Sequence, residues 1–458
     1  MSLDAVLKEV DRNLDSATDR LLDLLRIPSI STDSSYANDC DRAAEWLVSE
    51  IQSLGITDVR KAPSSGHPMV IGHADGSGPH LLFYGHYDVQ PVDPIGLWDH
   101  DPFCPQIVDT AAGKIIKGRG ASDDKGQLMT FLEACRSWIA VHGELPCEIT
   151  LFLEGEEECG SPSMLQFMQE NKRELTADVA LICDTALFDS RLPAIVTMLR
   201  GLLAEEITII GADKDLHSGF FGGAAINPIR VLTKIIAQLH DESGKVTIPG
   251  FYDNIPELPL NTKQEWDDLG FNADAFLGDV GLNQPAGEAD RSLLEMLWSR
   301  PTCDCNGIYG GYTAEGMKTV LPAEASAKIS FRLVEGQDPD VIRQNLRQMV
   351  RTMLPSDCTV KFSELGAGKA SRFDTSKPIF SAAQTALSEE WNEPVAFVGC
   401  GGSIPIADYF QSVLDMNSLL IGFAKDDDQI HSPNEKYDLE SFHKGIRSWV
   451  RFLAEATS

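Results

Sequence analysis

The sequence predicts an α/β protein, a mainly parallel-sheet domain interrupted by a second, α+β domain. Three observations predict it. Apolar β-runs and helical patterns alternate over residues 1–198, the texture changes near residue 200, and the alternation returns from about residue 371. A chain of 458 residues is also long for one hydrophobic core. The expected boundaries are therefore 1–198 and 371–458 for one domain and 199–370 for the inserted one.

The elements follow in order. The N-terminal stretch from Met1 to Arg20 and beyond reads as an amphipathic helix with Leu14, Leu21, Leu22 and Leu25 on one side. Apolar runs at Met69–Gly72, His80–Tyr84, Glu148–Leu153 and Val179–Ile182 read as strands. Between them, Leu128, Phe131, Leu132, Cys135, Trp138 and Ile139 recur at helical spacing and predict a helix over Gly126–Val141. In the insert, Glu205–Ile210 alternates less cleanly, a helix is expected from Pro228 to His240, and a Pro/Asn/Asp-rich stretch runs from Ile248 to Gln284. Ala325–Leu333 alternates strictly as a strand, followed by a helix over Asp338–Met353 and a strand over Thr359–Phe362.

Composition narrows the function classes. The hydrophobic share of 43% and charged share of 23% are those of a soluble globular protein. A net charge of -31 argues against nucleic-acid binding and against docking on anionic membranes. No apolar run approaches the ~20 residues that cross a bilayer. The N-terminal stretch lacks the basic start and apolar middle of a signal peptide. The 10 cysteines are scattered, several of them in apolar runs. The expectation is a cytoplasmic protein without disulfides. Cys303-Asp304-Cys305, the one close thiol pair, is a weak metal candidate without a second pair.

The chemistry-bearing residues collect where strands end. Leu81–Tyr84 runs into Gly85-His86-Tyr87-Asp88, the strand ending at Leu153 into Glu154-Gly155-Glu156-Glu157-Glu158, and the strand ending at Ile182 into Cys183-Asp184. A glycine-rich turn, Gly118–Gly126, carries Asp123 and Asp124 and opens the long helix. In open α/β sheets, ligands bind beyond the carboxyl ends of the strands, so these segments can converge on one rim. Singly, each acid has a local explanation as a helix cap or a solvated side chain. Assembled, several carboxylates need a cation or must take up protons. Imidazole mixed with carboxylate suits zinc or a similar first-row divalent ion. Ser403 lies in a glycine-rich loop, but the chain has no Gly-x-Ser-x-Gly elbow, which argues against a serine hydrolase.

The order of these segments resembles the co-catalytic zinc peptidases, a family that includes carnosinases, carboxypeptidase G and aminoacylases. The resemblance rests on Gly85–Pro91, Gly118–Gly126, Glu154–Ser161, Asp184-Thr185, Gly401–Pro405 and Ile430–Glu435, in that order over nearly the whole chain. It implies two divalent metal ions per subunit, zinc with Mn or Co as alternatives. Asp123 would bridge them, His86 and Asp184 would complete one shell, and Glu158 and His431 the other. The Asp123–Asp124 peptide bond would be cis. Glu157 would be the general base that takes a proton from water held between the ions and passes it to the leaving amine. Asp88 would orient His86 and raise its basicity.

The insert resembles the lid and dimerisation domain of the carnosinase-type branch at Asp215–Gly219. By that resemblance His217 stabilises the tetrahedral oxyanion, reaching in dimeric members into the partner's site. Thr319 and Arg332 match positions that bind the backbone and terminal carboxylate of the substrate, and Arg suits a bidentate grip on a carboxylate. Gly402 and Ser403 resemble another part of that carboxylate pocket. The implied activity is a dipeptidase acting on short peptides with a free C-terminal carboxylate, as a homodimer joined through the insert. An N-acyl-amino-acid amidohydrolase of the same family is the alternative. A non-catalytic metal-binding scaffold is a remoter one, since it predicts loss of the base or of a ligand.

Overall fold

The computed structural model describes residues 2–457. The outermost positions of the expected helix and domains, Met1 and Ser458, lie outside the described residues. The chain folds as two compact units. The first is built from the chain up to Thr197, from Phe373–Val398 and from Pro405 onward; the second is Met198–Arg372 with Gly399–Ile404. The short return segment differs from the expected boundary. It belongs to the second unit because Arg200 Nε donates to Gly401 O at 3.0 Å and Arg332 Nη1 to Ser403 Oγ at 3.2 Å.

In the first unit, Glu148–Glu154, His80–His86, Val179–Ile182 and Asn417–Ile421 lie side by side and run parallel. Met69–Ala74 and then Asp58–Ala62 extend one margin antiparallel, and Ala194–Leu199 joins the other margin antiparallel. The sheet thus has a parallel centre, as a run like Leu81-Leu82-Phe83-Tyr84 requires of a strand buried on both faces. Successive side chains on a strand point to opposite faces. Phe83 stacks at 4.0 Å on Phe131 of the helix Lys125–His142 and meets Trp449 of the helix Leu439–Glu455 at 6.0 Å. Tyr84 turns the other way, onto Phe410 of the helix Pro405–Ser412 at 6.1 Å. One dipeptide therefore fixes a helical layer on each side of the sheet. The helix Leu3–Leu25 buries Leu21, Leu22 and Leu25, and Leu14 is half-buried.

The parallel strands all end at one edge, with His86, Glu154 and Ile182 as the last residues of three of them. The glycine-rich turn meets the same edge and opens the helix Lys125–His142. Gly126 passes so close to its own turn that a Cβ there would lie 1.9 Å from Ala121 O. Only glycine lets the turn close that tightly.

The second unit has a four-stranded antiparallel sheet in the order Thr302–Gly310, Glu324–Leu333, Gly201–Ile210, Thr359–Gly368. The helices Pro228–Ala237 and Pro339–Met353 pack on it around Leu203, Ile207, Phe331, Leu232 and Leu346. Gly201–Ile210 alternates buried and half-buried at every position, more strictly than its residues suggest. The discrepancy is Glu205, an inward-facing acid that breaks the apolar pattern. It is fully buried and accepts from Arg347 Nε at 2.6 Å and Arg343 Nε at 3.3 Å. Such a charge is tolerated inside only because it is paired. The expected helix to His240 stops at Ala237, where His240 instead bridges to Val246. The Pro/Asn/Asp-rich stretch holds short helices at Leu260–Asp268 and Ala273–Gly278, the second capped by the Asn272 side chain.

Candidate active site

At the edge where the parallel strands end, His86, Asp88, Asp123, Glu158, Asp184 and His431 come together. His86 Nε2 lies 3.1 Å from Asp123 Oδ1 and 3.9 Å from Asp184 Oδ2. His431 Nε2 lies 2.8 Å from the other oxygen, Asp123 Oδ2, and 3.3 Å from Glu158 Oε2. Among the described residues, His86/Asp123/Asp184 and Asp123/Glu158/His431 form two triads whose donor atoms lie within 4.8 Å of one another. Asp123 is common to both. Four donors held at zinc's bond lengths of ~2.0–2.1 Å in a tetrahedron sit roughly 3.3–3.4 Å apart. The observed separations bracket that spacing, and imidazole with carboxylate is a donor set for a first-row divalent ion, so the residues fit the metal pair.

The electrostatics single out the same place. Burial pushes the Asp184 and Asp124 carboxyls well up, reinforced in each case by a neighbouring aspartate charge. Burial also works against the Asp123 anion, yet hydrogen bonds from His431 and His86 hold its carboxyl well below the usual range. The bonds His431 donates to Asp123 and then to Glu158 raise its own imidazole to about 10. The two imidazoles thus stabilise the charge of the shared carboxylate, and a bound cation would take over that task. Burial pushes the Glu157 carboxyl up to about 7; His86 opposes this, and the Glu158, Asp88 and Asp123 charges reinforce it.

Local structure explains how the side chains are held. His86 is the last residue of its strand and is fully buried; its N–H donates to Asp124 Oδ2 at 3.0 Å. The Asp123–Asp124 peptide is cis. Asp88 does more than face His86. One carboxylate oxygen lies 3.4 Å from His86 Nδ1, and the two oxygens accept the backbone N–H groups of Glu157 and Glu158 at 3.2 and 3.0 Å. Ser31 Oγ adds a third bond at 2.6 Å. Asp88 therefore caps the short turn Glu157–Cys159 and ties it to the histidine.

In the second unit, the two-residue pairing of Leu216–His217 with Val320–Leu321 carries His217 and, beside it, Thr319. Thr319 is exposed, and its carbonyl accepts the Ser218 N–H at 3.0 Å. Gly219 N–H donates to His217 Nδ1 at 3.0 Å. Nδ1 is thus the acceptor, and the proton of the neutral ring sits on Nε2. A Cβ on Gly219 would lie 2.9 Å from His217 Cε1, so glycine is what lets the ring fold back onto that N–H. Arg332, on the strand Glu324–Leu333, meets Ser403, next to Gly402, on the return segment. Ser403 Oγ accepts from Arg332 and donates to Arg200 O, and Gly402 N–H donates to Cys400 Sγ at 3.3 Å.

Comparison with known proteins decides the family. The family pattern of Peptidase family M20/M25/M40 matches residues 82–455. The chain belongs to that peptidase family. It is 30% identical over 474 residues to the Cys-Gly metallodipeptidase dug1 of Schizosaccharomyces pombe, covering 100% of this chain and 99% of that protein. It is 28% identical over 392 residues to the Beta-Ala-His dipeptidase of Mus musculus, covering 83% of this chain and 78% of that one. The crystal structure of the M20 family metallo-carboxypeptidase Sso-CP2 from Sulfolobus solfataricus superposes with a TM-score of 0.86 at 29% identity, over 96% of this chain and 99% of that chain. This member of family M20/M25/M40 is a metal-dependent peptidase of the dipeptidase type.

Several residues of this M20/M25/M40 edge escaped the sequence reading. Glu435 is fully buried and accepts from Arg119 Nη1 at 2.7 Å and from the N–H groups of Gly120, Ser122 and Asp123 at 3.0, 2.9 and 3.1 Å. It anchors the whole turn that presents Asp123. The signal was available in Gly118–Asp123, a turn whose converging N–H groups call for an anion. Glu156 is also buried, accepting the N–H groups of His67 and Ser163 at 2.8 and 3.2 Å. Gln90 Nε2 donates to Glu158 Oε2 at 2.7 Å. Cys303 is buried and Cys305 exposed, and among the described residues neither joins a metal-donor group.

Proposed function

We propose that this chain hydrolyses the amide bond of dipeptides with a free C-terminal carboxylate at a centre of two divalent ions, zinc being the resident metal and manganese or cobalt its substitutes. His86, Asp123 and Asp184 would hold one ion and Asp123, Glu158 and His431 the other. When bound, the ions supply Lewis-acid polarisation of the scissile carbonyl and a water acidic enough to ionise near neutral pH. The remaining work falls to the chain's own groups. Glu157 takes the proton of the attacking water and delivers it to the leaving amine, a task suited to a carboxyl poised at about 7. Asp88 keeps His86 and the Glu157–Glu158 turn in register through the bonds described above. His217, with its proton on Nε2, is a neutral donor for the oxyanion. Thr319 and Arg332 recognise the backbone and terminal carboxylate, with the Gly402–Ser403 turn completing the pocket around Arg332.

The observation that carries this reading is the pair of donor triads sharing Asp123, beside a glutamate that no Lys or Arg pairs with among the described residues. The dipeptide preference draws on the relatives, which are named for Cys-Gly and Beta-Ala-His. We also propose a homodimer joined through the second unit. Its edge strand Thr302–Gly310 exposes Ile308 and Tyr309, an unusual pair to leave in water on a strand paired along one side only. A cytoplasmic location fits the free state of all ten cysteines, and among the described residues no helix is long and apolar enough to cross a membrane.

The test uses metal-stripped protein reloaded with zinc, manganese or cobalt. It is offered Cys-Gly, β-Ala-His and N-acetyl and N-succinyl amino acids. Hydrolysis of the dipeptides, restored by metal, is expected. Preference for the acylated amino acids overturns the dipeptide reading, and undiminished turnover by stripped protein overturns the metal centre.

A further inference from the structure

Away from the metal-donor edge, the second unit holds two guanidiniums where an acidic protein would be expected to supply carboxylates. The chain has 69 Asp and Glu against 38 Lys and Arg. Yet the hydrogen bonds of Arg200 and Arg332 go to Gly401 O, Met296 O and Ser403 Oγ. Burial, and then the charge of Arg332, push the Arg200 guanidinium down to about 10. The charge of Asp304 offsets this only in part, and among the described residues no carboxylate makes an ion pair with either guanidinium, so two like charges share a place that an incoming anion would suit.

Arg200 also holds the glycine-rich turn at three points. Its N–H donates to Gly402 O at 3.2 Å, its Nε to Gly401 O at 3.0 Å, and its carbonyl accepts the Ser403 hydroxyl proton. The turn comes so near that a Cβ on Gly401 would lie 2.9 Å from Arg200 Nη2. A serine hydroxyl has one proton to donate. Ser403 gives it to Arg200 O, so its oxygen is left as an acceptor and takes Arg332 Nη1 at 3.2 Å. The direction of each bond is therefore set, from Arg332 through Ser403 to Arg200.

We propose that Arg200 is a positioning residue for the free-carboxylate preference, setting the Gly401–Ser403 turn and, through Ser403, the orientation in which Arg332 meets the substrate's C-terminal carboxylate. The inference rests on the reading of Arg332 as the carboxylate-binding group. It assigns Ser403 to holding Arg332, with no proton left for substrate.

The readout is the ratio of kcat/KM for β-Ala-His to that for the same dipeptide as its C-terminal amide, measured on the zinc-loaded protein. Arg332→Ala is expected to bring the ratio close to one. Arg200→Gln is expected to lower it about ten-fold or more, mainly through KM of the free acid, as the loss of a charge-assisted bond does. Arg200→Gln in the Arg332→Ala background is expected to change the ratio no further. Should Arg200→Gln fail to fold, Ser403→Ala removes only the connecting hydroxyl and decides the matter by the same ratio. An unchanged ratio in Arg332→Ala defeats the carboxylate reading itself. A collapsed ratio there, with a wild-type ratio in Arg200→Gln and Ser403→Ala, defeats the role of Arg200 alone. Equal losses on acid and amide in Arg200→Gln also overturn it, since they reveal a general structural role.

Discussion

The metal-donor edge of the first unit and the glycine-rich turn of the second are opposites in charge and in construction. The first crowds Asp88, Asp123, Asp124, Glu157, Glu158 and Asp184 around His86, a buried to half-buried set whose carboxyls are in part driven up by one another. The second sets Arg200 near Arg332 with carbonyls and a hydroxyl as partners. Each arrangement is costly alone, and in the proposed function each is completed by an ion of the other sign, a cation at the first and a substrate carboxylate at the second. Their supports differ too. The acid edge is braced from several elements by Asp88 and Glu435, each of which accepts several hydrogen bonds. The cationic turn is held by Arg200, through its main chain at Gly402 and Ser403 and through its side chain at Gly401. On the proposed reading, chemistry rests on a frame braced from several elements, and recognition on the side chain of one residue, which a substitution can loosen.

The largest effect should come from the acid edge. Glu157→Gln keeps the shape of the side chain and removes its capacity to take a proton. The expected loss in kcat is about 10²–10⁴-fold, with both metals retained by elemental analysis. Activity near wild type in that variant would remove Glu157 from the mechanism and leave the donor triads without a base.

His217 tests the recognition unit next. His217→Ala should lower kcat by roughly 10²–10³-fold, the usual cost of one oxyanion donor. Because Gly219 N–H occupies Nδ1, the working proton sits on Nε2. Glutamine carries an amide N–H near the Nε2 position and asparagine near Nδ1. His217→Gln should therefore retain more activity than His217→Asn. The reverse order would show that the backbone does not set the tautomer in the working enzyme.

Much of the acid edge was legible in the sequence because its residues follow apolar runs, and a strand's end is easy to read. The parallel centre of the sheet was legible for the same reason. What stayed hidden is long-range. Glu435 lies more than 300 positions from the turn it anchors, and its bonds go to backbone N–H groups, which carry no residue identity. Glu205 disguised a strictly alternating strand, because its partners Arg343 and Arg347 sit on a helix far along the chain. Arg200 escaped for a related reason. Its contacts run to the return segment Gly399–Ile404, whose place in the second unit is a matter of tertiary packing.

A smaller effect sharpens the idea of a braced frame. Glu435→Gln keeps the size of the anchor but removes the charge opposite Arg119, which its Nη1 meets at 2.7 Å. The turn carrying Asp123 should loosen without losing any proposed ligand. Metal affinity is expected to fall about 10–100-fold by competition with a chelator, the range found when a group supporting a ligand is lost. Turnover at saturating metal should fall much less. Unchanged affinity would mean that the turn holds its shape without its anchor.

The smallest effect concerns stability. Glu154 ends its strand fully buried, and its Oε2 accepts the Tyr84 hydroxyl at 2.6 Å. Burial pushes its carboxyl from 4.5 up to about 8; the Tyr84 bond opposes this, and Asp88 adds to it. A pKa raised in the folded state means that the folded protein binds the proton more tightly than the unfolded chain. The corresponding stabilisation is complete below about pH 4.5 and is lost as pH rises through about 8. Glutamine has no proton to lose and keeps an oxygen for Tyr84. The thermal midpoint of Glu154→Gln relative to wild type should therefore climb between about pH 5 and 8 and level off above, by a few degrees in all. Other titrations cancel in that difference, because both proteins share them. A gap that does not vary with pH would show that Glu154 is ionised in the folded protein, and that the acid edge carries one more uncompensated charge than its hydrogen bonds account for.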